Sequence, residues 1–325
     1  MVPTESSSGR SPVRLALAFL AVYLIWGSTY LAIRYAIETL PGLLMAGARF
    51  VVAGGFVFAW GLRRNGERPS ARNWREAFLL GGFFFLGGNG AVVWAERRVP
   101  SGLASLLIAT MPFWVVLLDW ARPHGSRPPA IVVLGMALGF AGLLLLVPLG
   151  ARGGDALINP LGALVLVLGA LSWATGSLYA LHAELPESLL LSSGMEMIAG
   201  GILLLLAGTL TGEVGELRPS VVSARSFLAF AYLVVFGSIV AFNAFTYLLE
   251  VSTPSRVSTY AYVNPVIAVV LGWLLAGEAL TTRTLLGATV IVSAVAMVTA
   301  GKAPARFGEE AAAPVAELAE EPPPT

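Results

Sequence analysis

Long, nearly uncharged apolar runs, each about as long as a bilayer is thick, leave this chain few folds to adopt. A helix crossing the hydrocarbon needs about 20 largely apolar residues, because it rises about 1.5 Å per residue. Ten stretches qualify: 15–35, 43–62, 77–95, 102–120, 130–149, 159–181, 190–210, 227–249, 256–276 and 284–300. Breakers separate them, among them Pro41-Gly42, Pro100-Ser101, Pro123, Pro128-Pro129, Asn159-Pro160, Pro186, Pro219 and Pro254. The last stretch is the shortest. Transmembrane barrels alternate apolar and polar residues in shorter segments, and these runs are continuous. The sequence predicts an all-α polytopic membrane protein with ten transmembrane helices. A cleaved signal peptide at the first run is the weaker alternative, since the run is long for such a segment and more spans follow.

Composition closes other routes. Only 12% of the 325 residues are charged, about half the share of a soluble domain, and the 57% that are apolar could not all hide in one core. The absence of cysteine removes disulfide frameworks, thiolate catalysis and Cys-ligated metals. A net charge of +1 gives no argument for a nucleic-acid partner. Residues 1–14 and 301–325 read as solvated tails, the second rich in Glu, Ala and Pro. With the N-terminus inside, Arg10, Arg14, Arg63, Arg64, Arg68, Arg72, Arg75, Arg122 and Arg127 fall on the cytoplasmic side, against Arg34, Arg97 and Arg98 outside. The positive-inside rule then places both termini in the cytoplasm. The second half carries no clear bias. Arginine outnumbers lysine nineteen to one, which fits a high-GC bacterial source, so the membrane expected is a bacterial inner (plasma) membrane.

The chain also repeats itself. Trp26 and Trp173 are 147 positions apart, as are Gly47 and Gly194, Arg49 and Glu196, and Gly54 and Gly201. Ser105 and Ser258, Pro112 and Pro265, and Trp120 and Trp273 share an offset of 153. Such recurrence marks two copies of one unit, 15–149 and 155–300. Five spans per unit is an odd number, so the second copy lies inverted in the bilayer. Two inverted five-helix repeats are an architecture that secondary transporters use for alternating access.

Several segments carry a family resemblance. Ile25-Trp26-Gly27-Ser28-Thr29-Tyr30 in the first span resembles the opening signature of the EamA family, within the drug/metabolite transporter superfamily. Ala48-Arg49-Phe50, Trp94-Ala95-Glu96 and Val99-Pro100-Ser101-Gly102-Leu103-Ala104 fit it as well. The strongest block is Gly237-Ser238-Ile239-Val240-Ala241-Phe242-Asn243, followed by Ser258-Thr259-Tyr260-Ala261-Tyr262-Val263-Asn264-Pro265-Val266 and Gly277-Glu278. One departure stands out: after the fourth span, where the family often has a Glu-containing turn, the chain reads Asp119-Trp120-Ala121-Arg122-Pro123-His124. The resemblance covers about 15–300 and implies a plasma-membrane carrier of metabolites or drug-like compounds, commonly an exporter.

Polar groups in mid-membrane are costly and therefore candidates for function. Arg49 in span two and Glu196 in span seven occupy equivalent places. Either they gate or orient a solute, or they hold helices in register. Glu196, the one acidic residue well inside a span, is the intramembrane candidate for a proton. Asn89, Asn243 and Asn264 are deep amides that donate and accept. Asn243 and Tyr247 share a helix face, as do Tyr260 and Asn264. Together with Trp26, Trp94 and Trp173 they could wall a cavity for a small amphipathic solute. The alternative is interhelical bonding, or an interfacial aromatic belt for the tryptophans. Pro112 and Pro265, inside spans four and nine, are either hinges or packing kinks.

Other patterns point nowhere. The glycine run 87–90 lacks the Lys-Ser/Thr of a phosphate loop, and His124 and His182 lack metal-ligand spacing. Glu96, Asp119, Glu250 and Glu278 read as ordinary charges at span ends. The resulting expectation is a carrier, not an enzyme, needing no cofactor or metal. Its partners are a small-molecule substrate and the lipid bilayer, and its drive is the substrate's own gradient or protons. Spans one, three, four, six, eight and nine would line its cavity. A channel or an intramembrane enzyme is the competing class. A channel would carry polar rings around a pore, and an enzyme a buried nucleophile and base.

Overall fold

The computed structural model describes residues 12–65, 68–122, 127–146, 159–252, 254–257 and 259–301. Both expected tails lie almost wholly outside them. Among the described residues there are helices and turns and no strand. Eight helices among the described residues are long and apolar enough to cross a membrane: α1 (Pro12–Ala36), α2 (Gly42–Arg64), α3 (Ala71–Ala95), α4 (Ser101–Ala121), α6 (Pro160–Ala180), α7 (Leu189–Leu210), α8 (Ala224–Leu248) and α10 (Thr282–Ala300). Two shorter apolar helices complete the set, α5 (Ala130–Leu146) and α9 (Tyr260–Ala276). Each is 17 residues long, about 25 Å at 1.5 Å per residue.

The breakers act as helix starts. Ser70 and Asn73 form a capping box at α3, each side chain bonding the other's backbone N–H. Asn159 caps α6 with Pro160 in its first turn, and Ser188 and Ser223 cap α7 and α8. The surface is the inverse of a soluble protein's. Leu17, Leu20 and Leu24 on α1, Leu164 and Leu168 on α6, and Phe227 and Leu228 on α8 all point outward. Arg49, Glu96, Ser105, Ser192, Ser193, Ser238 and Asn264 lie inside. Such a surface suits lipid, where every inward polar group must find its partner within the protein.

Glycine decides which helices meet. The most extensive contact is between α2 and α7, running antiparallel. A Cβ on Gly47 would strike the Gly201 carbonyl at 2.9 Å, and one on Gly54 the Gly194 carbonyl at 2.9 Å. Without side chains there, the two backbones touch, which is how apolar helices gain packing energy where lipid offers no hydrophobic drive. A second antiparallel pair, α5 and α10, meets through Gly135, Gly142 and Gly287. Around these, α1 packs on α8 and α9, α6 on α3 and α4, and α4 on α9.

Two helices change pitch midway. In α3, residues Gly82–Asn89 form π-helical turns, and in α8 residues Leu233–Val240 do the same. A π turn misaligns the usual i→i−4 bonds and leaves carbonyls free for other donors, so it often accompanies functional sites. The two expected proline hinges differ. Pro112 falls in the first turn of the second half of α4, after a break at Ala109-Thr110. Pro265 lies inside an unbroken α9.

Candidate functional site

The loosened carbonyls of the π segments are where side chains from the other half of the chain arrive. Trp26 Nε1 on α1 donates to the Gly237 carbonyl at 3.2 Å, and Ser172 Oγ on α6 donates to the Phe83 carbonyl at 2.9 Å. The Ser28 and Tyr232 hydroxyls bond at 2.6 Å. The Trp173 ring lies against Gly88, where a Cβ would come within 3.2 Å of it. Trp26 and Trp173 thus each pack on a π segment, of α8 and α3 respectively.

Trp26 also joins an aromatic group, 5.1 Å from Phe245 and 5.3 Å from Tyr260 by ring centroids, and Tyr247 packs in the same cluster. This places Trp26, Tyr247 and Tyr260 together on α1, α8 and α9. Trp94 lies apart from them, with the Arg98 guanidinium 3.9 Å above its ring.

The amides divide. Asn89 Nδ2 donates to the Phe84 carbonyl at 3.2 Å and Asn243 Nδ2 to the Ile239 carbonyl at 2.7 Å, each on its own helix. Only the NH₂ end can bond a carbonyl, so these bonds leave each Oδ1 unused, and none of the described residues is seen to donate to it. Asn264 is buried at 8% exposure, and its Oδ1 has no donor among the described residues. All three therefore offer acceptors.

The two matched charges behave differently. Arg49 Nε donates to Ser238 Oγ at 2.8 Å, and its guanidinium lies 4.6 Å from the Phe50 ring centroid. That anchors α2 to the π segment of α8. Glu196 on α7 is half-buried, and its carboxylate makes no hydrogen bond or ion pair among the described residues.

The charges that read as ordinary at span ends prove otherwise for two of the four. Glu278 accepts from Ser101 N and Ser101 Oγ at 2.7 Å each and from Gly102 N at 3.0 Å, with Arg34 Nε 3.6 Å away. It caps the start of α4, where a negative charge meets unpaired N–H groups and the positive end of the helix dipole. Gly277 adopts a left-handed φ of 64° to end α9 and turn the chain back. Gly102 and Gly272 leave the room that the carboxylate occupies. Glu96 is only 2% exposed, and both its oxygens lack a donor among the described residues. Sequence reasoning missed both because it judged depth by distance from a span's end. A signal for Glu96 was present: Asn89, Glu96 and Pro100 recur 154 positions later as Asn243, Glu250 and Pro254.

Comparison with known proteins then decides the family. The EamA-like transporter family matches residues 14–147 and again 160–300. The chain belongs to that family, in the drug/metabolite transporter superfamily. It is 41% identical over 286 residues to the uncharacterized inner membrane transporter YedA of Escherichia coli K12, covering 88% of this chain and 90% of the relative. Protein PecM of Dickeya dadantii is 28% identical over 84% of this chain and 88% of its own length. The uncharacterized transporter YvbV of Bacillus subtilis is 26% identical over 87% and 90%. A solved crystal structure shares the fold, with a TM-score of 0.58 at 22% identity, covering 89% of this chain and 98% of its own. This EamA-family chain is a membrane transporter.

Proposed function

We propose that the chain is a secondary carrier of the bacterial inner membrane. It moves a small amphipathic compound, as an exporter, by alternating access between two inverted five-helix halves. The observation that carries this reading is the α2–α7 seam, in which Gly47 faces Gly201 and Gly54 faces Gly194. The sequence pairs Gly47 with Gly194 and Gly54 with Gly201 as repeat mates, so each glycine meets the mate of the other. That reciprocity is what a two-fold axis produces. The exchanged contacts at the two π segments support it, α1 reaching into α8 and α6 into α3. All ten apolar helices would then cross the membrane, the two shorter ones locally thinning the bilayer. Arginine placement favours cytoplasmic termini.

The candidate lining also narrows the solute. Aromatic faces from Trp26, Phe245 and Tyr260 suit an apolar body. Free amide oxygens on Asn89, Asn243 and Asn264 suit a polar end that donates, such as an amine or hydroxyl. Trp173, with Trp94 at the margin, would complete the wall. Arg49 and Glu196 serve as structural and gating charges, and Pro112 and Pro265 as hinges. Neither a nucleic acid nor a cofactor enters this scheme.

Comparing metabolites released by cells with and without the protein identifies the compound, and counterflow in vesicles then tests the carrier. Saturable counterflow is expected; current that does not saturate would indicate a channel, and a changed product an enzyme. The Asn264→Ala variant is expected to insert normally yet lose roughly five- to 150-fold in flux, since one lost hydrogen bond to a buried group is worth about 1–3 kcal/mol and about 1.4 kcal/mol is tenfold. Unchanged flux in that variant would remove Asn264 from the cavity.

A further inference from the structure

The end of the bundle where α1, α4 and α9 meet is fastened by one carboxylate and shadowed by another. Glu278 binds the start of α4 through three hydrogen bonds and lies beside Arg34. Glu96, one residue beyond α3, is buried with both oxygens unpartnered among the described residues. Arg34 is held by Glu278, Arg97 pairs with Glu216 at 3.5 Å, and Arg98 lies on Trp94. Among the described residues, none of these three cations forms an ion pair with Glu96.

We propose that Glu96 is an exchangeable proton site whose occupancy is linked to closure of this end of the carrier. This deepens the alternating-access reading and rests on it. A buried carboxylate without donors is stable only as the neutral acid, because an ionised one would lose several kcal/mol of hydration. The neutral group is itself a donor and acceptor and tolerates burial in this stretch, where Val92, Val93 and Val99 belong to the hydrophobic core. Opening would part Glu278 from Ser101 and Gly102 and admit water to Glu96, which then releases its proton to that water. Closing reverses both events. One proton is taken up and one returned, and no other species is needed.

The surrounding charges fix the sign. From α1, Arg34 and Tyr30 interact with Glu96, and from the turn after α9, Glu278; Arg97 and Arg98, next along its own segment, are taken up by Glu216 and Trp94. Burial pushes the Glu96 carboxyl well above the usual carboxylate range, the charge of Glu278 pushes it further, and Arg34 opposes them. The closed form therefore holds the proton more tightly than the open, hydrated form. Closure is favoured fully below the ordinary carboxylate range and is lost as pH rises towards the raised value. For a single proton, the open-to-closed ratio rises at most tenfold per pH unit across that window.

The chain has no cysteine, so two introduced cysteines carry spin labels without background. Leu161→Cys and Ala279→Cys, both exposed, flank this end. In lipid vesicles the longer label distance is expected to gain population with rising pH, by up to tenfold per unit. Glu96→Gln, which mimics the protonated form, is expected to stay closed at every pH, while Glu187→Gln, an exposed carboxylate ahead of α7, keeps the wild-type slope. A wild-type pair that ignores pH overturns the proposal, as does a slope that survives Glu96→Gln or vanishes with Glu187→Gln. A second pair, Val13→Cys with Ala121→Cys, watches the opposite end. Ends that fail to alternate refute the carrier scheme, while the slope at the Glu96 end is scored on its own.

Discussion

Gly194→Val is expected to leave little folded protein, while Gly55→Val, on the partner helix, is expected to behave like the wild type. A Cβ at position 194 would lie 2.7 Å from the Phe58 backbone nitrogen and 2.8 Å from its Cα. The obstacle is main chain, which cannot swing aside as a side-chain end can. Overpacking a well-filled site costs about 1–3 kcal/mol, and occasionally more. Here α2 and α7 would have to separate along their whole seam, which puts the expected cost at or above the top of that range. At Gly55 a Cβ meets nothing within 4 Å, and replacing this half-buried helical glycine by valine is neutral or gains roughly 0.3 kcal/mol in propensity. Thermal unfolding of detergent-purified protein, followed by size exclusion, separates the two. Equal midpoints for the two variants would mean that the seam is not a close backbone contact.

The second large effect is expected from Glu278→Ala. Its carboxylate accepts three hydrogen bonds at the start of α4 with only 9% of the side chain exposed. Removing one member of such a buried charged set typically costs about 3–5 kcal/mol, chiefly because its partners are left unsatisfied. Since about 1.4 kcal/mol is tenfold in a population, the closed form of this end should lose more than a hundredfold. Arg34 would lose its carboxylate as well. Glu278→Gln keeps an acceptor oxygen and is expected to fall between the two. The same pair of labels at positions 161 and 279 reads this out, and a closed distance retained in Glu278→Ala would show that the clasp does not hold the end shut.

Much of the helical content was legible because the bilayer imposes a length on apolar segments, and proline and asparagine mark their starts. Asn159-Pro160 reads as a breaker and becomes the cap of α6. The stretches at 130–149 and 256–276 read as full spans, and the described helices there are 17 residues. The π turns in α3 and α8 were not legible, since Phe83–Leu86 and Leu233–Phe236 have the composition of any apolar helix, and pitch depends on tertiary donors such as Ser172 and Trp26. Among candidate residues, the sequence brought Trp26, Tyr247 and Tyr260 to one place but did not separate Trp94 from them. It undervalued Glu96 and Glu278, because burial at the end of a helix depends on which loop folds over it. That loop is set by the left-handed turn at Gly277, which delivers Glu278 to Gly102, 176 residues earlier in the chain.

Backbone contact along the whole length of α2 and α7 also restricts how the molecule can deform. Two rods touching through Gly47, Gly54, Gly194 and Gly201 have no lubricating side chains between them, so neither sliding nor lateral separation is cheap. Tilting about the line of contact preserves it. A protein with such a fulcrum would keep its midplane nearly constant in cross-section while its two rims change in opposite senses. Lateral bilayer pressure near the rims, and hence the lipid headgroups there, should bias its conformational equilibrium more than the thickness of the acyl region does.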